Sequence, residues 1–410
     1  MKNEPTIEQS LESVDDGDLG QEIERLSRKL EQIQSGRDIS ELTKDEAGEI
    51  LALMKKVEEL QKKLRFEKQE TEAYWSYEMF VDWARDEVGE DDPEAWLEKT
   101  FDLSDISRPL LIGRVLRLTD IKTVTRLPLK LKGKYMIKCS GTSIYEIPSD
   151  IDVDILELVD TPIKEIPAGV KAKKLFINQS PVEFISPDIE VERLNAIHTA
   201  MDYIPEVNNV SILNMRRTNV NAIPPQTKFK ELILAYTDVE EIPDDIEVEK
   251  LSLRNTKVQR VEGDINCTML SLSYSQVKEI PDKFEHVRTL LLDGCDVRVI
   301  PRGVSLEELN LDNSGVEEIE PDVEIDKLYL RNTPVKKIPV GFHCEILDLT
   351  GCMIEAVSQD IEITGRLLIS YDLITPSALS VLVKLVEQGK IADMDEGDVD
   401  DSDPDWEEDY

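Results

Sequence analysis

Between residues 116 and 373 the chain repeats one phrase of apolar and polar positions. Leu232-x-Leu234-x-x-Thr237-x-Val239-x-x-Ile242-Pro243-x-x-Ile246-x-Val248 is soon followed by Leu251-x-Leu253-x-x-Thr256-x-Val258. The first anchor of the phrase falls at Leu116, Ile137, Leu156, Leu175, Leu194, Leu213, Leu232, Leu251, Leu270, Leu290, Leu309, Leu328 and Leu347, giving thirteen full units of 19 to 21 residues, with a partial copy at Leu367. The alternation in L-x-L predicts a short strand with both anchors pointing inward, and I-P-x-x-I-x-V predicts a return along an outer wall with two more. A coil this short buries its anchors only against its neighbours, so the period predicts a stacked solenoid. Nine of the twenty prolines (Pro128, Pro148, Pro167, Pro205, Pro224, Pro243, Pro281, Pro301 and Pro339) follow an outer-wall Ile or Leu. Proline has no N–H to donate to a ladder, which assigns these positions to a loose convex side.

Between the two walls one column reads Thr142, Thr161, Ser180, Thr199, Thr218, Thr237, Thr256, Ser275, Cys295, Ser314, Thr333 and Cys352. Small polar side chains in a narrow turn can satisfy backbone groups left without partners there, so the column is expected to be a structural ladder. Cys295 and Cys352 then stand in for Thr, and Cys139 and Cys267 occupy inward anchors. Five cysteines, with Cys344, are odd in number and form no C-x-x-C pair, which argues against a disulfide framework or a structural zinc site.

The phrase L-x-x-L-x-L-x-x-[T/S/C]-x-V resembles the signature of the leucine-rich-repeat family, with Thr in place of the usual ladder Asn. The short period and the I-P phrase resemble its bacterial effector-type subclass. The resemblance covers residues 116 to about 370. It implies an α+β solenoid with parallel short strands on the concave face and extended I-P segments on the convex face, and it implies protein binding. Some effectors of that subclass carry a ubiquitin-ligase domain after the repeats. Here about 40 residues follow, none a cysteine, so that activity is not carried over.

Outside the repeats the period changes. Leu19, Ile23, Leu26, Leu30 and Ile33 form an a/d heptad seam, and after a capping box at Thr43 to Glu46 the residues Ile50, Met54, Val57, Leu60 and Leu64 resume it. Residues 1–72 therefore read as a helical hairpin or as a coiled coil that self-associates. Residues 73–115, with Trp75, Trp83 and Trp96, read as an aromatic helical cap, its second helix opened by Asp92-Pro93. The solenoid spans 116–373. Thr375-Pro376-Ser377 opens a C-terminal cap helix over 374–390, and 391–410 reads as a disordered acidic tail.

Charge sharpens this division. The chain of 410 residues carries a formal charge of −38, of which residues 1–100 hold −14 and residues 391–410 hold −11. Such an acidic chain is a poor generic nucleic-acid binder. No apolar stretch is long enough for a membrane span, and the N-terminal residues lack the basic-then-apolar pattern of a secretory signal, so a cytoplasmic location is expected. His198, His286 and His343 have no metal-ligand spacing, there is no glycine-rich phosphate loop, and no cofactor is expected.

Binding is expected on the concave strands, where the positions before, between and after the L-x-L anchors face outward. These columns hold Lys174, Arg193, Arg216, Lys250 and Arg254 against Glu231, interleaved with Phe176, Ile197, Ile212, Ile233 and Met269. Farther along come Leu291, Tyr329 and Arg331 among Asp293, Glu308, Asp312 and Asp348. The sequence thus points to a non-enzymatic recognition scaffold for an acidic, partly apolar protein partner. The chain's own tail, with Trp406, is a further candidate occupant. The alternative is a structural or assembly component of a large particle, such as a phage virion, multimerised through the N-terminal helices.

Overall fold

The computed structural model describes residues 77–397 apart from 105–109, 208 and 263, together with 25–29, 53, 56, 57 and 75. The chain divides into two compact units, Met1–Trp75 and Ser76–Tyr410. In the first, residues 25–29 are helical and Leu26 and Leu53 are buried. Most of both heptad seams, the capping box and the question of self-association lie outside the described residues.

The second unit opens with helix α1 (Tyr77–Trp83), a wider π-type turn at Ala84–Val88, and α2 (Pro93–Thr100). Asp92 caps α2 by accepting the Ala95 N–H at 3.1 Å, with Pro93 placed where no N–H is needed. The cap is fastened to the first coil by Trp83, whose Nε1 donates to the Arg126 carbonyl at 3.1 Å. Glu87 adds an acceptor for the Thr125 N–H at 2.9 Å and the Thr125 hydroxyl at 3.0 Å. Trp83, Trp96 and Phe101 stack at tilted and edge-on angles, with centroids 5.9 and 6.0 Å apart. Trp83 and Phe101 are buried in this stack, and Trp96 is part-exposed.

From there the chain winds a parallel ladder: β1 (Leu116–Arg117), β2 (Leu131–Lys138), β3 (Asp152–Glu157), β4 (Lys171–Phe176), β5 (Glu190–Asn195), β6 (Ile212–Asn214), β7 (Lys228–Ile233), β8 (Glu247–Ser252), β9 (Met269–Ser271), β10 (Thr289–Leu291), β11 (Ser305–Asn310), β12 (Glu324–Tyr329), β13 (His343–Leu349), β14 (Glu362–Ile369) and β15 (Ile391–Glu396). With the antiparallel pair Phe101–Asp102 and Leu110–Ile112 at its head, the sheet has 17 strands. The register is set by the repeat: Leu213, Leu232, Leu251 and Leu270 lie directly opposite one another on successive rungs, all fully buried. Each such leucine contributes roughly 2–3 kcal/mol by leaving water. The convex wall, broken by prolines, manages only two-residue bridges, as between Glu165–Ile166 and Phe184–Ile185.

Ion pairs one repeat apart run along the outside. Lys228–Glu247 at 2.8 Å, Arg288–Glu307 at 2.7 Å and Lys336–Glu355 at 2.7 Å each join residues at the same place in adjacent coils. All are exposed, and each adds less than about 1 kcal/mol.

After β14, Thr375 caps α3 (Pro376–Glu387), its hydroxyl accepting the Ala378 N–H at 3.3 Å. The start of the expected disordered tail is in fact ladder: β15 pairs in parallel with β14, Leu367 opposite Met394. Two features overcome its acidity. Ile391 is buried as an inward anchor, and Arg366 holds Asp395 through two N–H bonds of 3.0 and 2.7 Å. Among the described residues no helix is long and apolar enough to cross a membrane.

Candidate functional site: the concave face and its rim

The concave strands from β1 to β13 end in the same turn, and its chemistry fixes what the face can present. In β1 to β13 the residue after the outward column takes a left-handed backbone: Asp120, Gly141, Asp160, Gln179, His198, Arg217, Tyr236, Asn255, Tyr274, Gly294, Asn313, Asn332 and Gly351, with φ between 54° and 78°. The next residue is the hydroxyl of the inner ladder. Thr142, Thr218, Thr237 and Thr256 each donate to the carbonyl three residues earlier, at 2.6 to 2.8 Å, closing their own turns. Ser180, Cys295 and Cys352 point the other way and reach carbonyls of the preceding coil: Leu158, Leu272 and Leu330, at 2.8, 3.2 and 2.9 Å.

Above these turns the concave face has a floor and two flanking columns. The floor, between the anchors, is buried along much of its length: Asn195, Asn214, Ile233, Ser252, Ser271, Leu291, Asn310 and Asp348. Ile233 and Leu291, expected as exposed recognition residues, are therefore not available. Phe176 remains part-exposed, as do Ile197, Ile212 and Met269, together with Arg193 and Arg216, while Lys174 is exposed. Asn195 Oδ1 and Asn214 Nδ2, on adjacent rungs within this patch, have no hydrogen-bond partner.

Two of the expected cations are engaged locally. Lys250 pairs with Glu231 at 3.3 Å, and Arg254, largely buried, pairs with Asp293 at 3.5 Å while stacking on Tyr274 at 4.6 Å from the ring centroid. Arg216 and Arg217 both lie over Tyr236, at 5.8 and 5.2 Å. The rim thus carries two arginine–tyrosine steps, at Tyr236 and Tyr274. Gly294 makes the second possible, since a Cβ there would sit 2.5 Å from the Tyr274 ring.

In-register L-x-L strands, left-handed turns and an inner hydroxyl ladder together decide the architecture. The fold is a leucine-rich-repeat solenoid. No family model matches the chain, and no curated protein matches it. Solved structures resembling it include a leucine-rich effector protein, YopM, from Yersinia pestis (14% identity over 62% of this chain and 88% of that one, TM-score 0.40). They also include an internalin from Listeria monocytogenes (14% identity, 74% and 93% covered, TM-score 0.41) and the APL1 leucine-rich-repeat domain (14%, 60% and 88%, TM-score 0.37).

In the leucine-rich-repeat frame the remaining expected residues form a second, different region. Arg331 bridges Asp348 at 2.6 Å and Asp312 at 3.9 Å, and its own N–H donates to Asp312 Oδ1 at 2.7 Å. Asp348, fully buried, also accepts the Thr350 N–H at 3.0 Å and hydroxyl at 2.6 Å. Burial raises the Asp312 carboxyl to about 6; the Arg331 N–H and guanidinium oppose the rise, and Asp348 and Asp293 reinforce it. Tyr329 stands half-buried beside this network. Sequence reasoning missed Arg217, Tyr236 and Tyr274, because the turn residue lies one place beyond the strand columns. Tyr236 and Tyr274 share a register two repeats apart, a signal present in the aligned repeats.

Proposed function

We propose that the protein is a non-enzymatic recognition scaffold whose leucine-rich-repeat solenoid holds a protein partner on its concave face. The observation that carries this reading is the patch from β4 to β6, where part-exposed Phe176, Ile197 and Ile212 lie among Lys174, Arg193 and Arg216. Apolar side chains ringed by charge on one face suit a partner that is acidic and partly apolar.

The test is quantitative capture from native lysate by the full chain and by a Phe176→Glu, Arg216→Glu double variant. Both positions are part-exposed, so the circular dichroism of the two proteins should coincide. One dominant protein, captured in a salt-sensitive manner and lost with the variant, is the expected result. The same captured set with both forms would remove the concave face from the function.

A further inference from the structure

The tail of this chain leaves the solenoid at a place the sequence did not reveal. Because β15 runs parallel to the other concave strands, the last described residue, Gly397, lies at the rim that carries the strand C-terminal ends. That is the rim of the Tyr236 and Tyr274 steps. Along it, from Gly351 back to Gln179, the left-handed turn residues are glycine, asparagine, tyrosine, arginine, histidine and glutamine, none of them acidic. Three carboxylates of the concave strands beside this path are engaged: Asp312 and Asp348 face Arg331, and Asp293 faces Arg254 and accepts the Ser273 hydroxyl.

Residues 398–410 read DVDDSDPDWEEDY, eight acids around Trp406. Six rungs separate β15 from β9 and nine separate it from β6, about 29 and about 43 Å at ~4.8 Å per rung. At ~3.3–3.6 Å per extended residue, Trp406 reaches about 30 Å from Gly397, level with Tyr274 and Arg254. The three acids after it, Glu407, Glu408 and Asp409, extend about another 10 Å, which brings them toward Arg216 and Arg217, with Asp409 level with β6. An indole beside an arginine–tyrosine step, and carboxylates beside two arginines, match in both kind and order.

We propose that the rim from Tyr274 to Arg217 is a docking surface for an acidic, tryptophan-bearing segment, and that its occupant in the free protein is residues 398–410 of the same chain. This deepens the recognition reading by naming an occupant, but the test needs no foreign partner, so its failure leaves that reading standing. The probe is a fluorescein-labelled synthetic peptide of residues 398–410, titrated by anisotropy at low salt. The receptors are the full chain, and a full-length form whose tail acids are replaced by Asn and Gln and Trp406 by Ala. The neutral-tail form should bind the peptide at least about tenfold more tightly than the wild type, whose site is filled. Adding Arg216→Ser and Arg217→Ser to the neutral-tail form should weaken binding by at least about tenfold.

Absence of binding to the neutral-tail form, or binding indifferent to the two arginine changes, overturns the docking surface. Equal affinity for both tails overturns occupancy by the chain itself. A wild-type deficit that vanishes when the protein is diluted puts the tail on a second copy, and that also refutes the proposal as made.

Discussion

Asp312 offers a direct measure of the electrostatic load in the acidic half of the concave face. Its carboxyl is raised to about 6 by burial, against ~3.9 for an unperturbed Asp. A folded-state value above the unfolded one means that the native protein holds the proton more tightly. The contribution to stability is therefore greatest below the unfolded value and is lost as pH rises through about 6. Going from about pH 7.5 down to about pH 5 should add about 1 kcal/mol from this group. Asp312→Asn retains an oxygen for the Arg331 N–H, 2.7 Å away in the wild type, and abolishes the titration. Urea unfolding of both proteins across that pH range, followed by far-ultraviolet circular dichroism, isolates the effect, because the many other carboxylates cancel in the difference. The wild type should gain on the variant as pH falls, and the variant should be the equal or better of the two at about pH 7.5. A difference that stays flat, or one of opposite sign, would show that the Arg331 attraction outweighs burial.

Removing the cation tests the same network from the other side: Arg331→Met leaves fully buried Asp348 with only the Thr350 donors and should cost about 3 kcal/mol in urea unfolding. In the core, Leu251→Ala should cost about 3 kcal/mol, whereas Tyr145→Ala, at an exposed position, should stay within about 0.5 kcal/mol. The five thiols are buried, and burial pushes Cys267 and Cys344 up to about 12. A colorimetric thiol reagent at neutral pH should therefore find them unreactive in the native protein and all reactive in guanidinium; rapid native labelling of any of the five would contradict the packing role.

The solenoid was legible because its defining signal is periodic: each anchor from Leu116 to Leu347 predicts its neighbours, and any single ambiguous strand is corrected by the register. The concave site was only half legible. Period-two alternation assigns Ile233 and Leu291 to the outward columns, yet both are buried. Alternation carries no information about how neighbouring side chains pack over a position. Nor does alternation distinguish Lys174 from Lys250, which share a column but differ in whether Glu231 lies on the neighbouring rung. The strand Ile391–Glu396 was hidden by composition. Its acids gave it the look of a solvated tail, and the decisive contact, Arg366 to Asp395, spans a helix.

The inner hydroxyl column has a mechanical consequence. A threonine that closes its own turn strengthens one coil and leaves its tie to the next to the strand ladder and the packed leucines. The groups at 180, 295 and 352, reaching back to Leu158, Leu272 and Leu330, stitch two coils together. Coupling between neighbours, on which the cooperativity of a stacked array depends, is therefore uneven along the chain. Under tension or partial unfolding, the array should part preferentially at threonine-closed rungs, such as those at 218, 237 and 256, and hold as blocks across the stitched ones. The run of three threonine-closed rungs in the middle of the solenoid, at 218, 237 and 256, is then a stretch able to flex.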